Sequence, residues 1–292
     1  MDRAIATDSV PNDNETVPAV ARVTVGILTY NSVDVVATAV RSVVDFDEIL
    51  VCDGGSTDGT RELAAALGCR IVDQDPSCLD PQGRLIDIAG VRQQVLGIAS
   101  NPWVFFLDSD EAATPELAEE MRKVSATERT VGAYQVPRRY TLKGQIICCS
   151  MLYPSYQTRL VHRAAIDGYQ GLVHDVPILK PGEETGTLAN AQLVPQPPLR
   201  ALWRRWRTYM RLEEIKQAHL SRSEWASEVM RPGLRLIRWL AYRYVRSLRT
   251  CTGPRLPIRY EVGRLAYEFG VIAYTGRRFL GFRRADLNQA WD

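Results

Sequence analysis

No run of 18 consecutive apolar residues occurs in this 292-residue chain, so nothing in it reads as a membrane-spanning helix. The first 20 residues hold neither an apolar core nor a cluster of positive charge. They read as a solvated tail (1–21), not as a signal peptide. The six cysteines (Cys52, Cys69, Cys78, Cys148, Cys149 and Cys251) include no C-x-x-C pair and no metal-ligand spacing. Because Cys148 and Cys149 are adjacent, free thiols in a reducing cytoplasm are expected rather than a disulfide framework. No G-x-G-x-x-G follows a strand, which speaks against a nicotinamide-dependent dehydrogenase. Internal repeats, low-complexity tracts and recognised nucleic-acid motifs are also missing. What is present is 46% apolar residues, enough to bury a core, in a length suited to one large domain plus an appendage.

The richest stretch is Val104-Phe105-Phe106-Leu107-Asp108-Ser109-Asp110-Glu111. Four apolar residues suit a buried strand of a parallel sheet, and three carboxylates follow directly. The acids are expected beyond the carboxyl edge of the sheet, where open α/β folds bind ligands. Asp108 and Asp110, two positions apart on an irregular tip, can converge on one hard cation whose remaining positions are filled by phosphates. A helix N-cap with Glu111 in the first turn would present the same letters.

Two further strand exits resemble the first. Ile49-Leu50-Val51-Cys52-Asp53 runs into Gly54-Gly55 and a helix over 62–67. The glycines admit close backbone approach by a ligand, and Asp53 can accept hydrogen bonds from a base or ribose. Val23 to Asn31 is a third strand, leaving Thr29, Tyr30 and Asn31 at its exit ahead of an amphipathic helix over 33–44. Each is an ordinary strand-to-helix turn when taken alone. Together they place three polar exits on one sheet edge, the expected position of a site.

In this order and spacing, "ILTYN", "VCDGGSTDGT", "GVRQQ" and "WVFFLDSDE" resemble the family 2 glycosyltransferases. "YQVPRRYTLKGQII", "LYPSYQTRLVHR" and "YQGLVHDVP" are similar to the branch that modifies the heptose core of lipopolysaccharide. The likeness covers about 22–190. It implies an α/β nucleotide-diphosphosugar transferase (GT-A) fold with a mostly parallel, Rossmann-like sheet over 22–195. It further implies inverting transfer of a hexose from a nucleoside diphosphate sugar, with uridine the usual base, to a glycolipid or lipopolysaccharide-core-like hydroxyl. A small natural product is the alternative acceptor.

The resemblance assigns Thr29, Tyr30, Asn31, Asp53 and Asp108 to the donor pocket, with Arg92 near the phosphates. Gln93 departs from a common Asn, which leaves a surface-helix reading of Arg92 open. Asp108 and Asp110 would hold Mn or Mg, with His174 as a further ligand unless it is a structural histidine. Asp175 matches the position of the general base, and Glu111 is the next candidate. Trp103 is expected to pack beneath the site, and Arg138, Arg139 and Arg159 to meet phosphates of a charged acceptor. Two other classes stay in view. A nucleotidyltransferase would need a glycine-rich loop with a basic residue after the first strand, where Thr29-Tyr30-Asn31 stands. A non-catalytic nucleotide-sugar binder would not need acids at every motif position.

The net charge of +2 conceals an asymmetry. Residues 1–198 hold 16 Lys and Arg against 26 Asp and Glu, whereas 199–292 hold 20 against 8. Pro195, Pro197 and Pro198 mark the change, and helical periodicity follows over 196–292. Leu199, Leu202, Trp203, Trp206, Tyr209 and Met210 share one face, with Arg200, Arg204, Arg207 and Arg211 off it. Leu234, Ile237, Leu240, Ala241, Tyr244, Val245 and Leu248 form a second stripe opposite Arg231, Arg235, Arg238, Arg246 and Arg249. The first helix is expected to pack on the domain. The second is expected to lie on an anionic membrane surface, making the protein peripheral on the cytoplasmic face, with no role for nucleic acid.

Overall fold

The computed structural model describes residues 22–80, 85–171 and 176–280. The first half alternates strand and helix: β1 (Val23–Thr29), α1 (Val33–Arg41), β2 (Glu48–Asp53), α2 (Thr60–Ala66), β3 (Arg70–Asp73), α3 (Ile88–Ile98) and β4 (Trp103–Asp108). A two-residue β5 (Ala112–Ala113) and α4 (Pro115–Ala126) follow, then β6 (Ala133–Leu142), β7 (Gln145–Ile146), β8 (Tyr156–His162), β9 (Ile166–Gln170) and β10 (Val176–Leu179). The sheet region closes with β11 (Thr185–Thr187) and β12 (Gln192–Pro195). Beyond it come α5 (Leu199–Lys216), a single turn α6 (Arg222–Trp225), α7 (Arg231–Thr250) and α8 (Ile258–Gly276).

The main sheet runs β3-β2-β1-β4-β8-β6-β12-β5. β1 to β4 are parallel, whereas β8 lies antiparallel to both β4 and β6. The order reverses at β1: β2 and β3 build to one side and β4 to the other. That reversal opens a crevice between the carboxyl ends of β1 and β4, the usual ligand position in open α/β sheets.

Period-two alternation along β4 sends Trp103, Phe105 and Leu107 to one core and Val104 and Phe106 to the other. α1 and α4 cover the first face through Val36, Val40, Leu117 and Met121, and α3 covers the second through Val91, Val95 and Leu96. Gly26 in β1 is required by this packing, because a Cβ there would sit 2.7 Å from Val95 Cγ1. α4 starts at Pro115 under a Thr114 cap. Glu111 therefore precedes the helix, and the first-turn reading of that acid fails.

Three expectations need correction. Asp108 is the last residue of β4, paired in register with Leu28, so of the two aspartates only Asp110 lies past the strand. Trp103 is buried at the other end of β4, against Tyr134 and His162, roughly 17 Å of strand away from Asp108. Cys149 and Cys251 form a disulfide, leaving Cys52, Cys69, Cys78 and Cys148 free. The loop before α8 pairs with the 148–149 backbone, Pro254 O accepting from Cys148 N and Cys149 N, and this brings together cysteines 102 positions apart. Sequence spacing carries no sign of that pairing.

α5 packs as its periodicity requires. Leu202, Trp206 and Met210 are buried in a third cluster with Tyr140, Val194 and Tyr260, which joins α5 and α8 to the far end of the sheet. α7 splits its stripe. Ile237 and Leu240 are buried, and Gly233 lets Ile272 of α8 approach closely, but Leu234, Val245 and Leu248 are exposed. Among the described residues, no helix is long and apolar enough to cross a membrane.

Candidate active site

The exit of β1 and the glycine turn after β2 are one hydrogen-bonded unit. Asp53 is buried and accepts from Thr29 Oγ1 (2.8 Å), Gly55 N (3.0 Å), Ser56 N (2.8 Å), Ser56 Oγ (2.6 Å) and Arg61 (3.3 Å). Burial opposes its ionisation, but the Ser56, Thr29 and Arg61 donors outweigh burial and hold the carboxyl below its ordinary range. Asp53 thus fastens the turn, its buried oxygens taken up by the protein's own donors. Asn31 adopts φ +46°, takes a hydrogen bond from Thr57 N through Oδ1 (3.0 Å), and donates its own N–H to Ser56 Oγ. Tyr30, the residue before Asn31, is 63% exposed.

At the end of β4 a buried ionic network surrounds Asp108. Arg159 of β8, 2% exposed, grips both oxygens of Asp108 at 3.0 and 2.6 Å and reaches Glu111 at 3.3 Å. Arg138 of β6 donates to Glu111 at 2.6 Å, and Gln192 of β12 donates to the same carboxylate at 2.8 Å. Arg92 is buried over the Phe106 ring, its guanidinium 3.6 Å from Asp108, so the surface-helix reading of this residue fails. Burial works against a charged Asp108, but Arg159 above all, then Arg92 and Arg138, keep it ionised well below the usual range. Glu111 moves the opposite way: burial and the Asp108 charge raise its pKa despite Arg159 and Arg138. With its oxygens held by Arg138, Arg159 and Gln192, Glu111 is poorly placed to take a substrate proton.

Asp110 differs from both. It is exposed at the mouth of a cleft of about 480 Å³. Desolvation within the cleft, then the Asp108 charge, raise its pKa. Among the described residues no group of three or more His, Cys, Asp or Glu could hold a metal ion. One open carboxylate backed by an ionised neighbour still suits a cation that takes one or two protein carboxylates and completes its shell with substrate phosphates and water. His174 and Asp175 lie outside the described residues.

The structure therefore brings Thr29, Tyr30, Asn31, Asp53, Arg92, Asp108 and Asp110 to one sheet edge. Arg138 and Arg159 serve the acidic cluster, and Arg139 lies over the Tyr153 ring with a bond to Cys148 O. The expectation that these three meet acceptor phosphates loses its support. Sequence reasoning missed the second wall of the cleft, made by Leu202, Arg205, Trp206 and Tyr209 of α5 with Tyr260 and Arg264 of α8. It also missed Gln192, which no spacing links to Glu111.

Residues 24–147 match the model described as Glycosyl transferase family 2. The glycosyltransferase AglJ of Haloferax volcanii is 39% identical over 84 residues, covering 28% of this chain and 25% of that protein. An uncharacterized glycosyltransferase of Rickettsia conorii is 31% identical over 102 residues, covering 35% of this chain and 33% of its own. The matches thus span a quarter to a third of the length of these curated relatives. Among solved structures, S. aureus TarS 1-349 aligns over 90% of this chain and 93% of its own, at 12% identity and a TM-score of 0.44. Glucosyl-3-phosphoglycerate synthase from Mycobacterium tuberculosis, solved with Mn2+, UDP and glucosyl-3-phosphoglycerate, aligns over 62% and 74% at 16% identity and a TM-score of 0.42. Residues 24–147, which hold the parallel half of this α/β sheet, are thus similar to glycosyl transferase family 2.

Proposed function

We propose that the protein is an inverting glycosyltransferase that moves a hexose from a UDP-sugar to a hydroxyl of a glycolipid or lipopolysaccharide-core-like acceptor. The observation that carries this reading is that the β1 exit, the Asp53 turn and the Asp108–Asp110 tip lie side by side on one sheet edge inside the matched domain. Tyr30, Asn31 and the Asp53 turn would take base and ribose, and Arg92 the diphosphate. Asp110, backed by Asp108 and with His174 as a further ligand, would hold Mn or Mg, whose charge offsets the negative charge on the departing diphosphate. The acceptor oxygen attacks the anomeric carbon opposite the leaving group. The new C–O bond forms as the old one breaks, its electron pair goes to the diphosphate oxygen, and the hydroxyl proton goes to the carboxylate assigned as base, Asp175.

The test is release and transfer of sugar from UDP-hexoses in Mn or Mg. Asp175→Asn should bind UDP normally and lose transfer by about 10²-fold or more, because an amide keeps the shape but not the basicity. Near-normal transfer by this variant would move the base elsewhere, and inert UDP-hexoses with the wild type would remove the reading itself.

The acceptor class carries a second part of the proposal: α7 docks on an anionic lipid surface at the cytoplasmic face. It exposes Leu234, Leu236, Trp239, Tyr242, Val245 and Leu248 among the exposed Arg231, Arg235, Arg238, Arg246 and Arg249. Aromatic and aliphatic side chains interleaved with arginine suit an interface, each basic residue adding on the order of 1 kcal/mol near anionic lipid. The wild type should co-sediment with anionic vesicles at low salt and release partly at high salt. The Arg235→Glu, Arg238→Glu, Arg246→Glu triple variant should bind several-fold less. A wild type indifferent to anionic vesicles would sink the membrane reading.

A further inference from the structure

We propose that Arg205 is the recognition group for an anionic substituent, a phosphate or a carboxylate, on the acceptor. This rests on glycosyl transfer at the crevice, and it deepens that reading by naming an acceptor chemistry. On the wheel of α5, Arg200, Arg204, Arg207 and Arg211 fall roughly 140–180° from Leu202 at 100° per residue. Arg205 stands elsewhere: at 100° per residue it falls roughly 60° from Leu202, on the flank that also bears Tyr209. It lines the cleft wall opposite Asp110, and its charge reaches that carboxylate.

The other cations of the cleft have protein partners. Arg159 holds Asp108 and Glu111, Arg138 holds Glu111, Arg92 stands beside Asp108, and Arg264 pairs with Glu268 on its own helix. Arg205 makes no ion pair among the described residues, and its side chain is exposed to the cleft. A guanidinium in a walled cleft, where charges are incompletely screened, is a strong and geometrically selective anion receptor.

Arg205 and the donor residues reach the cleft from different parts of the fold. The donor residues come from the carboxyl ends of β1, β2 and β4, whereas Arg205 descends from a helix on the other wall. The same cleft holds Gln157, whose Oε1 is buried without a hydrogen-bond partner, an acceptor suited to a hydroxyl. A sugar-like molecule bearing both hydroxyls and one negative group fits that pairing.

The test measures binding of glucose 6-phosphate, glucuronate and glucose to the full-length protein by calorimetry, with and without UDP and Mg. The wild type should prefer both anionic sugars over glucose by roughly tenfold or more. Arg205→Gln should erase the preference and Arg205→Lys should restore part of it, while UDP affinity and the thermal midpoint stay as in the wild type. Failure of the wild type to discriminate overturns the proposal. So does a loss of UDP affinity in Arg205→Gln as large as the loss for the anionic sugars, which would assign Arg205 to the donor diphosphate. If the transfer reading itself is wrong, the sign is different: the wild type binds no UDP, whatever residue 205 is.

Discussion

Asp110→Ala is expected to abolish sugar transfer, by at least about 10²-fold, while the protein melts within a few degrees of the wild type. The side chain is exposed beyond the strand end, so its loss removes no core contact, and surface changes of this kind usually stay within about 0.5 kcal/mol. What it removes is the open carboxylate at the crevice. UDP binding that Mn or Mg strengthens in the wild type should become insensitive to the ion in the variant. The raised pKa of Asp110 adds a pH signature. A proton competes with the ion at a higher pH than for an ordinary aspartate, so activity should fall on the acid side earlier than the usual carboxylate range, near 4, would give. Full turnover by the variant, or by the wild type in chelator, would end the metal assignment.

Arg159→Ala is expected to be the most destabilising single substitution in the site. It leaves Asp108 and Glu111 side by side without the guanidinium that neutralises both, and Glu111 is almost wholly buried. Removing one member of a buried ionic network costs up to about 3–5 kcal/mol, and here Arg138 and Arg92 remain to offset part of the charge on Glu111 and Asp108. For a domain of this size that corresponds to a fall in thermal midpoint of roughly 10 °C. Arg159→Lys should recover the charge but not the two-oxygen grip, and land between the two. Adding Glu111→Gln to Arg159→Ala removes the like-charge repulsion and should restore part of the loss. The linkage of Asp108 to pH follows the same logic. Its folded pKa is depressed, so its contribution is complete above about pH 4 and is lost as the pH falls through the folded value. A midpoint unchanged in Arg159→Ala would mean that the network is not holding the β4 tip.

The parallel half of the fold was legible because its signals are local. β1, β2 and β4 each show an apolar run ending in a polar residue, and parallel register puts Thr29 beside Asp53 and Leu28 beside Asp108. The acidic cluster was legible only in part. Asp108, Asp110 and Glu111 are contiguous, but the arginines and the glutamine that decide which acid is open come from β6, β8 and β12. Pairing of an antiparallel strand with β4 leaves no trace in spacing, so spacing alone leaves the arginines of the second half looking free for substrate. Arg205 was within reach of periodicity alone. It lies at the edge of the apolar arc of α5 beside Tyr209, on the flank opposite Arg207. The Cys149–Cys251 bridge was not, since it depends on a loop returning across the start of α8.

The cleft has one wall of strand ends and another of helices, and the two walls come from stretches of chain that scarcely overlap. Natural variation can therefore act on them separately. A lineage that keeps the strand tips retains its donor while the residues of α5 and α8 facing the cavity drift toward a new partner molecule. Grafting those helix faces between related chains should transplant acceptor preference and leave nucleotide choice untouched. The ring packing of Trp206 on Tyr267 has to travel with them, because it is part of the contact between α5 and α8.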